Sequence, residues 1–259
     1  MPRYFLEVFY KGDGFSGFQV QRNANTIQSE IEKAFQVFFR KSVSLTGSSR
    51  TDAGVHALQN YFHFDWDEDF PVEAIYNINA ILPMAIAVKS IRKVKNDAHC
   101  RFHALEREYK YFIYSTKNPF LEDRGWYLPY TLDEELLSKC AEIIKKCDDF
   151  TAFSKKHTQV RSFICNIIQS EWINENGCLI YHVKANRFLR GMVRGFVGTM
   201  VRTARGNMTI EEFKKLVIEN NLSSADFSAP SIVMFPRAVR TIVPTKPRTI
   251  PLRKRLAFT

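Results

Sequence analysis

The chain has 259 residues, of which 45% are hydrophobic, so it can form one large domain or two small ones with a sizeable core. Its formal net charge of +10 is typical of proteins that face a polyanion, either a nucleic acid or an anionic membrane. No apolar run approaches the length of a membrane span and no signal-peptide pattern opens the chain, so we expect a cytoplasmic protein. The 5 cysteines are odd in number and form no Cys-x-x-Cys pair, which argues against a disulfide framework or a zinc ribbon.

The first predicted elements are a strand, a glycine-rich turn and a helix. Apolar and polar residues alternate over 4–10, which predicts a strand. The turn over 12–17 matches the dinucleotide-binding pattern Gly-x-Gly-x-x-Gly. However, no helical pattern begins at its last glycine, and no acidic residue lies about 20 positions beyond it. We therefore interpret it as a turn, with or without a ligand nearby. Apolar spacing over 26–41, with Thr26 as N-cap, predicts a helix.

The remaining predicted elements complete two similar halves. Strands at 43–47 and 59–65, a helix over 71–82 and a strand over 86–94 give the first half the element order of a ferredoxin-like unit. The second half contains a strand ending at residue 115, a hairpin turning near 174–177 and helices over 133–147, 188–205 and 210–220. The sequence thus predicts an α+β protein whose second half loosely repeats the first.

A loop between two predicted strands, 46–57, contains the most suggestive local chemistry. Asp52 lies at its centre, Arg50 precedes it by two residues, and the small residues Ala53 and Gly54 follow. A nearby guanidinium favours the charged carboxylate, and small neighbours allow a bulky ligand to approach, as a nucleophile or general base requires. The commoner explanation for such a residue, on local chemistry alone, is a turn aspartate that caps its own backbone.

The predicted helix over 188–205 is rich in arginine and glycine. At about 100° per residue, its arginines and glycines share one face and its apolar residues share the other. This stripe consists of Arg187, Arg190, Arg194, Arg202 and Arg205 with Gly191, Gly195 and Gly198. One hypothesis is that a phosphate backbone approaches this face. The alternative is a solvated charged face on which another helix packs at the glycines.

Other candidate sites are weaker. His99 and His103 are four residues apart in a strand-like region, where that spacing does not converge on an ion, so we expect no metal site. The basic residues of the tail over 245–259 could touch RNA, although a solvated tail is the simpler explanation. The sequence contains no serine triad, phosphate loop or paired-carboxylate pattern.

Taken together, these stretches resemble the tRNA pseudouridine synthase A family. The most specific match is the run of eight residues Arg50-Thr51-Asp52-Ala53-Gly54-Val55-His56-Ala57. The resemblance continues in order along nearly the whole chain, through the glycine turn over 10–21, the segments 101–111 and 149–153, and the segment 185–198.

The resemblance implies a role for each of several residues. Asp52 would be the catalytic nucleophile, Tyr109 would stack on the target base, and Arg194 would pair with Asp52. Arg50 would help to displace the target nucleotide. The other expected RNA-binding residues are Arg101, Arg107, Arg187, Arg190 and Arg202.

The resemblance also implies an overall organisation. The fold would be two ferredoxin-like halves, 1–105 and 106–259, joined through an extended mixed or antiparallel sheet with a central catalytic cleft. The protein would be a homodimer that acts on tRNA without a metal or another cofactor.

The sequence departs from the family pattern at several positions. Ser48-Ser49 replaces a smaller pair, Lys11 replaces an aspartate of the first turn, and Phe18 replaces a tryptophan. Near the C-terminus, Val233-Met234-Phe235 diverges from the segment that would line the base pocket. The divergence of that segment bears on the range of substrates rather than on the chemistry.

The sequence therefore predicts an RNA-modifying isomerase that converts uridine to pseudouridine. Its target would lie in the tRNA anticodon stem–loop, at roughly positions 38–40, where a stacked base must be flipped out before chemistry. Three alternatives stay open: a non-catalytic RNA-binding protein or tRNA chaperone, a pseudouridine synthase with another RNA target, and a carboxylate-based hydrolase of nucleosides or sugars.

Overall fold

The computed structural model describes residues 1–71, 73–155, 160–219 and 225–231, and the backbone of 234–241. Two short 3₁₀ helices, Pro119–Leu121 and Thr151–Phe153, accompany the main elements. The first sheet and its helices are β1 (Arg3–Tyr10), α1 (Ile27–Phe39), β2 (Thr46–Gly47), β3 (Ala57–Asp65), α2 (Ala74–Ile81) and β4 (Ile86–Val94). The rest are β5 (Ala104–Tyr114), β6 (Trp126–Tyr127), α3 (Glu134–Lys145), β7 (Ile167–Glu175), β8 (Cys178–Ala185), α4 (Met192–Ala204), α5 (Ile210–Glu219) and β9 (Met234–Thr241).

The first sheet has the strand order β2-β3-β1-β4, with β1 antiparallel to both β3 and β4. Aromatic side chains from α1, β3 and the turn after β3 pack against each other, with Phe35 centred among Phe64, Trp66 and Phe70. Each buried ring contributes about 1.5–3 kcal/mol to folding. The predicted element order of this half is confirmed, although β2 is shorter than the predicted strand.

Helix α1 begins where its sequence predicts. The Thr26 hydroxyl accepts a hydrogen bond from Ser29 N at 3.1 Å, and the Ser29 hydroxyl accepts one from Thr26 N at 3.0 Å. This reciprocal cap satisfies two N–H groups that the first helical turn leaves unpaired. The helix ends at Phe39 because Arg40 adopts a left-handed conformation, with φ of 53°.

The second sheet has the strand order β6-β5-β8-β7, and β9 also pairs with β5. Its ladders are antiparallel except for the short parallel pair of β5 and β6, so the sheet is mixed. The predicted hairpin is confirmed between β7 and β8. Asn176 and Gly177 both have positive φ, as a tight hairpin turn requires. Helices α3, α4 and α5 contribute to one large core with this sheet.

The two sheets approach each other where β9 runs beside β3. Val55, in the loop before β3, packs in the core of the second sheet, so the first half contributes directly to the second. We propose a boundary between the halves at residue 105, because β5 begins the second sheet at Ala104. No helix in the described ranges has both the length and the hydropathy to cross a bilayer.

Candidate active site

The loop that contains Asp52 joins β2 to β3 and is held from several sides. Tyr10 OH hydrogen-bonds the Thr51 hydroxyl at 2.9 Å, and Phe18 N donates to Thr51 O at 3.2 Å. Ser48 Oγ donates to Asn60 Oδ1 at 2.7 Å within the same region. These bonds hold the part of the loop that precedes Asp52, and Asp52 itself is half-buried.

The glycine-rich turn over 12–17 lies directly against this loop. A Cβ on Gly12 would be 2.1 Å from Val55 O, and one on Gly17 would be 3.2 Å from Thr51 O. Gly17 also has φ of +99°, which side-chain-bearing residues rarely adopt. The turn therefore serves close backbone packing beside Asp52, which explains why it mimics a dinucleotide-binding pattern.

Tyr109 reaches the same place from β5. Its ring is 9% exposed and packs edge-on against Phe188, with 5.0 Å between ring centroids. Burial raises the pKa of the Tyr109 hydroxyl, Arg107 opposes this increase, and the Asp52 carboxylate adds to it. Asp52 and Tyr109, the expected nucleophile and base-stacking residue, thus lie within electrostatic range of each other.

The expected ion pair between Arg194 and Asp52 is not formed among the described side chains. Instead, Arg194 Nε donates to Ala229 O at 2.5 Å and Arg194 Nη2 donates to Phe227 O at 3.0 Å. Both acceptors are backbone carbonyls of the segment 225–231, so this segment holds the guanidinium of Arg194.

The segment 225–231 links Arg194 to the Asp52 loop. Tyr111 OH donates to Pro230 O at 2.9 Å, and Ser231 Oγ donates to Ala53 O at 2.7 Å. Ser231 thereby contacts the residue directly after Asp52. Arg194 is therefore connected to the Asp52 loop through this segment.

The prediction of a single basic helical stripe is wrong. Helix α4 begins only at Met192, so Arg187 and Arg190 precede it, and the residues of α4 are mostly buried. A Cβ on Gly195 would be 2.9 Å from the Phe227 ring, and one on Gly198 would be 2.4 Å from Asp226 O. The glycines accommodate the segment 225–231 of the same chain, so a phosphate backbone is not what approaches them.

Arg107, one of the expected RNA-binding residues, is occupied by the protein itself. Its guanidinium donates to Asn186 O at 3.0 Å and to Ser48 O and Arg101 O, both at 3.1 Å. Burial lowers the pKa of Arg107. The residue therefore ties the Asp52 region to β5 and to the end of β8.

The other expected RNA-binding arginines remain accessible. Arg50, Arg101, Arg190 and Arg202 are exposed, and Arg187 is half-buried. Arg101 lies over the ring of Phe102, which is itself 73% exposed. Together these side chains offer positive charge and one exposed aromatic ring.

His56 and Lys11 have roles that the sequence did not indicate. His56 accepts a hydrogen bond from Gly12 N on Nδ1 at 3.1 Å, and its Nε2 lies 2.6 Å from Asp123 O. Burial lowers the pKa of His56. Lys11 forms an ion pair with the Asp123 carboxylate. The loop around Asp123 is thus anchored to the glycine turn beside Asp52. No local sequence pattern predicts these contacts.

Two predictions from the sequence concern residues outside the described ranges. The side chains of the divergent segment Val233-Met234-Phe235 are not described, although β9 pairs with β5 through the backbone of Phe235 and Met234. The basic tail over 245–259 also lies outside the described ranges.

Comparison with known proteins supplies the family. Residues 147–237 match a family model described as tRNA pseudouridine synthase. A protein named tRNA pseudouridine synthase A from Azobacteroides pseudotrichonymphae is 38% identical over 236 residues, which cover 91% of this chain and 95% of that protein. A protein of the same name from Parabacteroides distasonis is 38% identical, over 91% of this chain and 94% of its own length. Another, from Staphylococcus aureus N315, is 34% identical, over 88% of this chain and 87% of its own length. Because similarity at this level extends over nearly all of both sequences, the chain belongs to the tRNA pseudouridine synthase A family.

Proposed function

We propose that this protein isomerises uridine to pseudouridine in tRNA, with Asp52 as the nucleophile. The observation that carries the assignment is the half-buried Asp52 carboxylate within electrostatic range of Tyr109, on a loop whose Val55 packs into the core of the second sheet. Its loop is braced by Thr51 and Ser231, so the carboxylate has a fixed position.

The chemistry requires one bond to be exchanged for another. The N1–C1′ glycosidic bond breaks, the uracil turns within the site, and a C5–C1′ bond forms while C5 loses a proton and N1 gains one. Asp52 can attack C1′ or promote elimination at the sugar, and either route uses a carboxylate beside the ribose. Because reactant and product contain the same atoms, no co-substrate is consumed.

Tyr109 is proposed to stack on the uracil and to assist proton transfer. Because burial and the Asp52 charge both raise its pKa, the hydroxyl keeps its proton near neutral pH. It can therefore donate a hydrogen bond, and it is not a phenolate base. Because Phe188 packs edge-on against the Tyr109 ring, that ring has little freedom to reorient when the base enters.

The exposed arginines around the cleft are proposed to bind the tRNA backbone. Arg50, Arg101, Arg190 and Arg202 supply accessible charge, which offsets the cost of a few kcal/mol for flipping the target base. Arg187 is half-buried and is proposed to contact RNA at the cleft edge. Arg107 and Arg194 are instead proposed as positioning residues, since carbonyl groups occupy their donors.

The finer assignments rest on the family resemblance. We propose that the target lies in the anticodon stem–loop, that the protein works as a homodimer and that it is cytoplasmic. Mapping modified uridines position by position, in tRNA from cells with and without the protein, tests the target. Sedimentation of the purified protein tests the dimer.

The nucleophile assignment is tested by Asp52→Asn. We expect tritium release from tRNA labelled at uracil C5 to fall on the order of 10³-fold or more, because the amide cannot replace the carboxylate. Binding of tRNA should change little. Asp13→Asn is the matched control, since Asp13 is an exposed aspartate in the adjacent glycine turn. Full activity in Asp52→Asn would overturn the assignment.

The same assay separates the alternatives. Tight tRNA binding by the wild type with no modified uridine would favour an RNA chaperone. Release of free uracil would favour a hydrolase, although that class normally uses two neighbouring carboxylates.

A further inference from the structure

Three side chains with metal-ligating atoms converge away from the Asp52 loop. His63 lies near the end of β3, and His99 and Cys100 lie in the segment between β4 and β5. One ligand atom from each of the three lies within 4.8 Å of the others. His103, which the sequence pairs with His99, is not part of this group. Its Nδ1 accepts a hydrogen bond from His99 N.

The spacing of these atoms is close to that of a tetrahedral zinc site. With Zn–N of about 2.0 Å and Zn–S of about 2.3 Å, neighbouring ligand atoms are roughly 3.3–3.7 Å apart. His63 Nδ1 and Cys100 Sγ are 3.2 Å apart, and the imidazole centroids of His63 and His99 are 4.4 Å apart. His99 is half-buried, so a shift of about 1 Å in its ring would bring the three ligand atoms to bonding positions.

The three side chains and their surroundings suit a metal ion of borderline softness. His63 and Cys100 are buried, and imidazole nitrogen and thiolate sulfur are the ligand atoms that Zn²⁺ most often takes in proteins. Arg101 N donates to Nδ1 of His99 at 3.2 Å, a bond that Nδ1 would give up in order to bind the ion. Cys100 Sγ donates to Thr46 O at 3.1 Å, a bond that metal binding would break as the thiol proton leaves to solvent.

The local charges oppose tight binding. Arg3, Arg101 and Arg107 all lie within electrostatic range of the group. Arg3 is neutralised by its bidentate pair with Asp65, and the thiolate formed on binding offsets one further charge. We therefore expect an ion that exchanges with solvent and not a permanent structural one.

We propose that His63, His99 and Cys100 bind one Zn²⁺-class ion, with its fourth position open to solvent beside His99. The ion would tie the segment that contains Arg101 and Phe102 to β3. Arg101 O also accepts a hydrogen bond from Arg107. The ion would therefore stabilise a segment that contacts Arg107, without itself lying beside Asp52. The inference does not depend on the proposed catalytic role of Asp52.

The test is metal binding to the full chain after removal of metal by a chelator. Titration with Co²⁺ should give about one equivalent bound per chain, with a sulfur-to-cobalt charge-transfer band and the strong visible bands of tetrahedral Co²⁺. Zn²⁺ should displace the Co²⁺ and raise the melting temperature of the chain.

Variants identify the ligands. Cys100→Ala should abolish the charge-transfer band, and His63→Gln should weaken Co²⁺ binding by at least about 10-fold. Cys140→Ala is the matched control, because Cys140 is equally buried but lies on α3. Circular dichroism reports whether each variant folds, and Cys100→Ser serves if the alanine variant does not.

Two outcomes would overturn the proposal. One is wild-type protein that binds no stoichiometric Co²⁺, which would reduce the group to a hydrogen-bond network. The other is a charge-transfer band that persists in folded Cys100→Ala or Cys100→Ser, which would place the ion elsewhere.

Discussion

At the scale of single residues, the arginines divide into two kinds that sequence cannot separate. Arg107 and Arg194 donate to backbone carbonyls inside the protein, whereas Arg50, Arg101, Arg190 and Arg202 are exposed. In the sequence they are the same residue type, and all lie near residues that resemble the family pattern. What distinguishes them is the tertiary position of carbonyl groups far along the chain, which no local spacing encodes.

Arg194→Lys tests the positioning role of that residue. Lysine keeps the charge but cannot donate to Phe227 O and Ala229 O in the fixed geometry of a guanidinium. Charged hydrogen bonds contribute about 1.5–3 kcal/mol each, so we expect kcat to fall about 10-fold or more as the segment 225–231 loosens. KM for tRNA should change little.

Arg205→Lys is the control for Arg194→Lys. Arg205 directly follows α4 and lies over the Tyr130 ring at 3.9 Å, away from the segment 225–231. Its replacement should leave kcat unchanged. An equal loss of activity in both variants would contradict the positioning role and point to a general effect on folding.

At the scale of elements, apolar periodicity predicts where a helix lies but not which segments pack against it. The apolar spacing of α1, α3 and α5 placed each helix to within about two residues, because one face of each is buried and the other is exposed. Helix α4 is buried nearly all round, so its arginine spacing suggested an exposed face that does not exist. Glycine in such a helix indicates that another group packs closely against it, but not which group.

Gly198→Ala tests what approaches α4. Alanine favours a helix by about 1 kcal/mol, but its Cβ would be 2.4 Å from Asp226 O, and overpacking costs about 1–3 kcal/mol. Because the obstacle is backbone, we expect the overpacking cost to lie at the upper end of this range, which leaves a net loss of about 2 kcal/mol in the free energy of unfolding, measured with chemical denaturant.

Gly195→Ala provides the comparison for Gly198→Ala. Its Cβ would meet the rings of Phe227 and Phe153, which can move more easily than backbone. It should therefore be less destabilising. A Gly198→Ala protein as stable as the wild type would mean that the segment 225–231 does not pack on α4 in solution.

At the scale of the whole molecule, the charge of +10 predicts an interaction that depends on salt. Each arginine that neutralises a phosphate contributes roughly 0.7–0.9 to the slope of log affinity against log salt concentration. Replacing exposed Arg190 with glutamine should reduce that slope for tRNA binding by about this amount. Filter binding at several salt concentrations measures it.

Lys139→Gln is the control for the salt experiment. Lys139 is exposed on α3 and already forms an ion pair with Glu135, so its removal should leave the slope unchanged. A slope unaffected by Arg190→Gln would place that residue outside the RNA interface.

The class of fold and the candidate nucleophile Asp52 could be predicted from the sequence, because both depend on short-range patterns. The order of elements in the first half follows from periodicity, and the Asp52 loop is a contiguous match of eight residues. The contacts that complete the cleft could not be predicted, since they join distant positions. Ser231 and Ala53 are 178 residues apart, and His63 and Cys100 are 37 apart.

The hydrogen bond from Ser231 to Ala53 has a consequence for biosynthesis. Protein halves generally fold in the order in which the ribosome releases them, so the first sheet can form while the second is still being made. The loop beside Asp52 receives its last brace only after nearly the entire chain has emerged. The proposed active site is therefore completed only at the end of translation, and a prematurely terminated chain would fold its first sheet without the bond that braces the Asp52 loop.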